Sequence, residues 1–208
     1  MIIAVLGTGK VGHAIIPALQ KAGHDVRAGS RHASEVKGLD APVTDFLTAA
    51  SPADLVINAT PGVSSLDALT AVGRHWLDGK TILDLANALD DNGDTVHTPK
   101  SLAEKIQQTF PQARVVKALN TFNTSVMTNP GILNEPTTTY VASDDAAAKA
   151  IVIDVVHSLG WPLSDIIDLG GLQRARALEH FFLLYDAHRK LLGHSVLNIK
   201  LVTHDVEV

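Results

Sequence analysis

The sequence predicts an α/β fold, a doubly wound, mainly parallel sheet with a C-terminal helical region packed on it. Three observations predict it. Short apolar, β-branched runs alternate with longer helical stretches, a glycine-rich turn joins the first run to the first helix, and helices dominate after residue 143. Apolar runs without polar alternation suit parallel strands that are covered on both faces.

The elements follow in order. Ile2 to Leu6 reads as the first strand, Lys10 to Ala22 as a helix bent near its middle by Pro17, and Asp25 to Ala28 as the second strand after a Gly23-His24 turn. Ser30 to Pro42 is short for a crossover helix and reads as loop with at most a turn or two. Thr44 to Ala50 reads as helix, and Asp54 to Ala59 and Lys80 to Leu85 as strands. Asn87 to Pro99, rich in Asn, Asp and Gly, reads as a surface loop over a strand end. A helix over Lys100 to Phe110 follows, then a strand over Ala113 to Leu119, a short helix near Thr124 to Met127 and a strand over Thr138 to Ala142. Two amphipathic helices, Asp144 to Leu159 and Leu172 to Leu192, complete the chain, which divides into residues 1–142 and a dependent helical region, 143–208. There is no internal repeat and no disordered linker.

Composition narrows the function. The 208 residues are 46% hydrophobic and 19% charged, as in folded globular proteins. Seventeen Lys and Arg against 22 Asp and Glu give a net charge of -5, with no basic field for nucleic acid. The absence of cysteine removes disulfides, thiolate nucleophiles and Cys-ligated metals. No basic segment precedes Ile2 to Leu6 and no apolar window reaches the ~18 residues of a membrane span, so the chain is read as cytoplasmic, with no membrane partner. The ten histidines form no H-E-x-x-H pattern and are read as helix-surface or capping residues, so no metal site is expected.

Gly7-Thr8-Gly9-Lys10-Val11-Gly12 matches G-x-G-x-x-G just after an apolar strand and at the start of a helix, the context that makes the pattern a dinucleotide site. The first glycine permits the tight turn, the second lets backbone approach a pyrophosphate, and the third lets helix and strand pack closely. The helix N-terminus adds free N–H donors. At the end of the second strand an NAD-binding chain usually has a carboxylate on the ribose. Here Gly29-Ser30-Arg31-His32 stands there, with a guanidinium suited to a 2′-phosphate, and Asp25 comes too early, so NADP(H) is favoured over NAD(H).

These motifs, with Thr60-Pro61, Val115 to Thr121, Asp168 to Leu172, Arg176 and Leu178-Glu179, resemble the NADPH-dependent oxidoreductases of the coenzyme F420 (deazaflavin) type. The likeness runs through most of the chain and is shared more loosely with the cytosolic domains of ferric reductases and the N-terminal domain of pyrroline-5-carboxylate reductases. The resemblance implies a Rossmann-type domain that holds NADP(H), with the nicotinamide in a cleft where coenzyme F420 or a flavin stacks as co-substrate. By position it places Thr8 to Val11 at the pyrophosphate, Ser30 and Arg31 at the 2′-phosphate, Thr60 and Pro61 beside the nicotinamide, and Ala86, Asn87, Asn120 and Thr121 on the cleft floor. Leu119 stands where the family more typically has Phe, and the 87–99 loop is longer and more polar.

Hydride transfer to a flavin-type acceptor needs no protein acid or base, so no catalytic group is assigned. Asn87 and Asn120 are candidates to position the substrate, or Asn120 caps the short helix that follows. A rival reading is an imine or carbonyl reductase, which needs a proton from Lys117 or from a substrate-bound water. Another is an NADP(H) redox sensor that turns nothing over. Lys117 itself reads as structural or as a surface charge, and Asp84 as a hydrogen-bond partner of the next loop. The amphipathic stretch Leu172 to Leu201 and the resemblance together suggest a homodimer.

Overall fold

In the computed structural model, which describes residues 1–204, eight strands form one sheet in the order β3-β2-β1-β4-β5-β6-β7-β8. The strands are β1 (Ile2–Leu6), β2 (Asp25–Gly29), β3 (Val43–Thr44), β4 (Leu55–Asn58), β5 (Thr81–Asp84), β6 (Arg114–Ala118), β7 (Thr139–Ala142) and β8 (Ile166–Asp168). All neighbours pair in parallel except β6 and β7, joined antiparallel through Lys117 with Ala142 and Ala118 with Val141. The fold is Rossmann-type. β1 lies between β2 and β4, so the chain order reverses there and the crevice opens beyond the carboxyl ends of β1 and β4.

Side chains alternate across β1. Ile3 and Val5 join one core cluster with Ile15, Ile16 and Leu19, and Ala4 and Leu6 join the other with Phe46, Leu69 and Ile106. Among the described residues eight α-helices cover the two faces: α1 (Lys10–Lys21), α2 (Phe46–Ala50), α3 (Ser65–Val72), α4 (Arg74–Leu77), α5 (Leu102–Thr109), α6 (Thr124–Thr128), α7 (Ala146–Ser158) and α8 (Ala175–Leu192). α1 runs through Pro17, which lies on its solvent face. The sequence assigns no element to residues 65–77 or 166–168, and it places Thr44 in a helix where the structure has the strand Val43–Thr44. The strands there are only two and three residues long, and α3 buries Ala68, Leu69 and Val72 within just eight residues. β8 belongs to the same sheet as β1, although it lies beyond the division drawn at residue 142.

α5 begins with a capping box: Ser101 Oγ accepts from the Glu104 N–H at 3.1 Å, and Glu104 Oε2 accepts from the Ser101 N–H at 2.8 Å. Arg176 grips the same carboxylate, its Nε 2.8 Å from Oε2 and a terminal nitrogen 2.6 Å from Oε1. The Arg176 bonds and those from Ser101 hold the Glu104 carboxyl down at about 2. A carboxylate whose folded pKa is depressed stabilises the fold above its unfolded value and loses that contribution as pH falls through the folded one. Arg176 is 43% exposed, so screening keeps the pair small. Arg176→Ala is therefore expected to destabilise the fold at pH 7 and to do so less at pH 3, where Glu104 begins to approach its folded pKa. Urea unfolding at the two pH values checks this, and an equal cost at both would reject the link to Glu104.

Candidate functional site

Five loops meet beyond the carboxyl ends of the parallel strands, and each follows one strand: 7–9, 30–32, 59–62, 85–89 and 119–123. They enclose a cleft of two chambers, of about 290 and 590 Å³, which share Gly9, Thr60 and Pro61. Gly7, Thr8, Ser30, Arg31 and His32 line the first; Lys10, Val11, Ala86, Asn87 and Asn120 line the second. Gly12 and Thr121 are buried beside the cleft and line neither.

The glycines divide their roles as the motif demands. Gly7 has φ 111°, and a Cβ there would stand 2.6 Å from the Ala59 carbonyl oxygen. A Cβ on Gly12 would stand 2.0 Å from the Gly7 oxygen, so the first turn of α1 rests directly on the loop. A Cβ on Gly9 would meet nothing within 4 Å, because this residue faces the open cleft. Gly9 is also the N-cap of α1, with no side-chain cap and no acidic residue in the first turn. The positive end of a twelve-residue helix is therefore open toward the chambers.

At the end of β2, Ser30 Oγ accepts from Thr8 Oγ1 at 3.3 Å and from the His32 N–H at 3.3 Å, which ties the 7–9 and 30–32 loops together. Arg31 is exposed beside them and, among the described residues, makes no hydrogen bond or ion pair. An uncommitted N-terminus, an open glycine and a guanidinium beside two hydroxyls fit a dinucleotide with an extra phosphate on its ribose.

On the floor of the larger chamber two amides interlock. Asn87 Nδ2 donates to the Asn120 carbonyl at 2.8 Å, so Asn87 Oδ1 faces the other way and accepts from Asn120 Nδ2 at 2.9 Å. Asn120 Nδ2 also donates to the Leu178 carbonyl of α8 at 3.0 Å, which leaves its Oδ1 buried without a donor among the described residues. Leu119, just before it, has φ 58°, strained for a side chain of this size. Asn120 does not cap α6; Asn123 does, accepting from the Val126 N–H at 3.0 Å.

Lys117 is not a surface charge. It is fully buried, and its Nζ donates to Asp84 Oδ2 at 2.8 Å and to the Ala86 carbonyl, and lies 3.2 Å from Glu179 Oε1. Burial works to lower its pKa, but Asp84 and Glu179 outweigh it and raise it, so the ammonium keeps its proton. Lys117 does not line either chamber, which removes it as the proton donor of an imine reductase. Asp84 Oδ1 accepts from the Ala86 N–H at 3.2 Å, the bond to the next loop that the sequence suggested.

Sequence reasoning missed the far wall of the larger chamber, supplied by Phe182, Tyr185, Asp186 and Arg189 of α8 with Ser195 beyond it. Asp186 is held ionised by Lys190 and Arg189, with contacts of 2.7 and 2.6 Å. Burial raises the Tyr185 phenol above its usual range, and its hydroxyl donates to the Ser195 carbonyl at 3.0 Å.

A family model described as NADP oxidoreductase, coenzyme F420-dependent, matches residues 2–88. The structure is similar to that of a candidate F420-dependent NADP-reductase from Arthrobacter sp. FB24, with a TM-score of 0.90 and 39% identity over 97% of this chain and 99% of that one. It shares its fold with an imine reductase from Myxococcus stipitatus crystallised with NAD+, at a TM-score of 0.64 and 19% identity, over 92% of this chain and 62% of that one. In sequence it is 24% identical over 214 residues to a glycerol-3-phosphate dehydrogenase [NAD(P)+] of Pseudomonas entomophila, over 92% of this chain. The chain spans 58% of the length of that curated relative.

Proposed function

The chain belongs to the family of coenzyme F420-dependent NADP oxidoreductases, and from that premise we propose that it moves hydride between NADPH and a planar, flavin-like acceptor, a deazaflavin or a flavin, in the larger chamber. The observation that carries the reading is the two-chamber cleft shared by Gly9, Thr60 and Pro61, with the open end of α1 beside it. The smaller chamber suits the adenosine half of a dinucleotide. At about 590 Å³ the larger has room for a nicotinamide with a second small planar molecule.

Gly7 to Gly12 and the N-terminus of α1 would hold the pyrophosphate, and Thr8, Ser30, Arg31 and His32 the ribose phosphate. Thr60 and Pro61 would flank the nicotinamide above the Ala86, Asn87 and Asn120 floor. NADPH supplies a hydride, two electrons with one proton; the acceptor takes it together with a proton from water. The chain has to orient and to exclude solvent. Leu119, Phe122, Met127 and Phe182 make much of the larger chamber apolar, and the interlocked amides of Asn87 and Asn120 set a rigid floor.

Calorimetry with NADPH and NADH is expected to give at least tenfold tighter binding of NADPH, about 1.4 kcal/mol. Arg31→Ala should remove most of that preference by weakening NADPH alone; equal affinities in the wild type would reject phosphate recognition. Stopped-flow oxidation of bound NADPH by FMN, a deazaflavin, a quinone and a cyclic imine then tests the acceptor. Reaction with the imine alone would favour the imine-reductase reading, and reaction with none the sensor.

A further inference from the structure

A buried polar chain runs beneath the cleft from one of its walls to the opposite one. Thr60 Oγ1, on the nicotinamide side, donates to Asn58 Oδ1 at 2.6 Å, and Asn58 Nδ2 donates to Asp84 Oδ1 at 2.8 Å. Asp84 Oδ2 meets Lys117 Nζ at 2.8 Å, and Lys117 Nζ meets Glu179 Oε1 at 3.2 Å. Glu179 ends the chain at the N-terminus of α5, accepting from the Leu102 and Ala103 N–H groups at 2.9 and 3.3 Å. The members come from the ends of β4, β5 and β6 and from α8.

The charges do not explain themselves by stability. One cation faces two carboxylates in a site without solvent, and the surplus negative charge is met by the amides of α5 and the Asn58 side chain. Well-packed apolar residues of similar volume generally stabilise a fold as well as a buried ion cluster does. What the cluster adds is directionality, because each bond holds only over a narrow range of distance and angle.

That directionality reaches the cleft at three points. Thr60 lines both chambers. The Ala86 carbonyl accepts from Lys117 Nζ, and Ala86 lines the larger chamber. Glu179 lies on α8 at i−3, i−7 and i−10 from Phe182, Asp186 and Arg189, the helix face that forms the far wall. A single ammonium thus ties the nicotinamide-side wall, the floor and the acceptor-side wall together without touching the space between them.

We propose that Lys117 is the positioning residue of the hydride-transfer reaction, which through Asp84, Asn58 and Thr60 on one side and Glu179 on the other sets the gap between the cofactor wall and α8. This rests on the proposed assignment of the two chambers to NADPH and its acceptor. Hydride transfer requires donor and acceptor atoms within a few tenths of an ångström of contact, so a small rotation of α8 slows transfer without releasing the cofactor.

The test uses Glu179→Gln, which keeps the shape and one acceptor oxygen for the Leu102 N–H of α5 and removes the charge facing Lys117, beside Lys117→Met. Hydrogen exchange reads the coupling without an acceptor. In Glu179→Gln the Thr60 and Ala86 amides, which donate to Asn58 Oδ1 and Asp84 Oδ1, are expected to exchange at least fivefold faster. The amides of Val152 and Val155 in α7 serve as the unchanged reference. Unchanged exchange at Thr60 and Ala86 overturns the proposal. In single turnovers Glu179→Gln is expected to bind NADPH within threefold of wild type and to reduce saturating FMN at least tenfold more slowly; an unchanged rate overturns the link to the reaction. Lys117→Met should show the larger form of the same split where it folds, and Glu179→Gln decides where it does not. A wild-type protein that fails to bind NADPH would instead overturn the cofactor assignment, and the exchange result would still decide whether Lys117 couples the walls.

Discussion

Gly9→Val is expected to fold normally and to lose NADPH binding by at least a hundredfold. Gly9 has φ -81° and ψ -161°, extended backbone that valine adopts without strain. The added Cβ meets no protein atom within 4 Å, so nothing in the folded chain has to move. A β-branched residue is a poor N-cap, yet Gly9 makes no side-chain cap now, and the stability cost should stay within about 1 kcal/mol. The same open space belongs to both chambers. Two methyl groups there would stand where a pyrophosphate must approach the N-terminus of α1, and a hundredfold loss corresponds to about 2.7 kcal/mol. Thermal melting and calorimetry on one preparation check both halves. A variant with native melting and native NADPH affinity would remove the glycine-rich loop from the phosphate site.

The central strands and the first helix were legible because their signals are local. Ile2 to Leu6 is an uninterrupted apolar run, Leu55 to Ile57 and Ile82 to Leu83 are the short apolar centres of the other two segments, and the structure trims each expected strand by no more than a residue at either end. The helix expected over Thr44 to Ala50 begins later, at Phe46, because Asp45 accepts from the Thr48 N–H at 2.9 Å and fixes the N-cap there. Thr44 instead pairs with Gly29 as the sheet edge. A two-residue strand has no period of its own, and its partner, not its sequence, makes it a strand.

The site divides the same way. The loop after each parallel strand could be read from the strand itself, since ligands in such sheets gather beyond the carboxyl ends. The wall from α8 could not. Phe182, Tyr185, Asp186 and Arg189 lie on one stripe of an amphipathic helix, and sequence alone leaves open whether that stripe covers sheet or lines a cavity. Lys117 was hidden for a related reason. A lysine in an apolar strand reads as structural or as a surface charge, with no partner to decide between them, until Asp84, 33 residues earlier, and Glu179, on another element, are brought to it.

Gly12→Ala should fail in the opposite manner to Gly9→Val, by damaging the fold first. The residue is fully enclosed in the first turn of α1, and the new methyl carbon would sit 2.0 Å from the Gly7 oxygen and 3.0 Å from its carbonyl carbon. Neither atom belongs to a side chain that can rotate away. Gly7 has no room to retreat, since it stands at φ 111° against Ala59 and its N–H donates to the Gly29 carbonyl at 2.9 Å. Relief requires α1 to lift from the sheet, which would loosen Ile15, Ile16 and Leu19 from the core below. Overpacking against backbone of this kind costs roughly 3 kcal/mol, or about 6–12 °C in melting temperature for a domain of this size. NADPH should partly restore the melting temperature only if the lifted helix still presents its N-terminus to the cleft. A native melting temperature in Gly12→Ala would mean that α1 can shift freely on β1. The close contact of Gly12 with Gly7 would then not be what holds the phosphate loop in place.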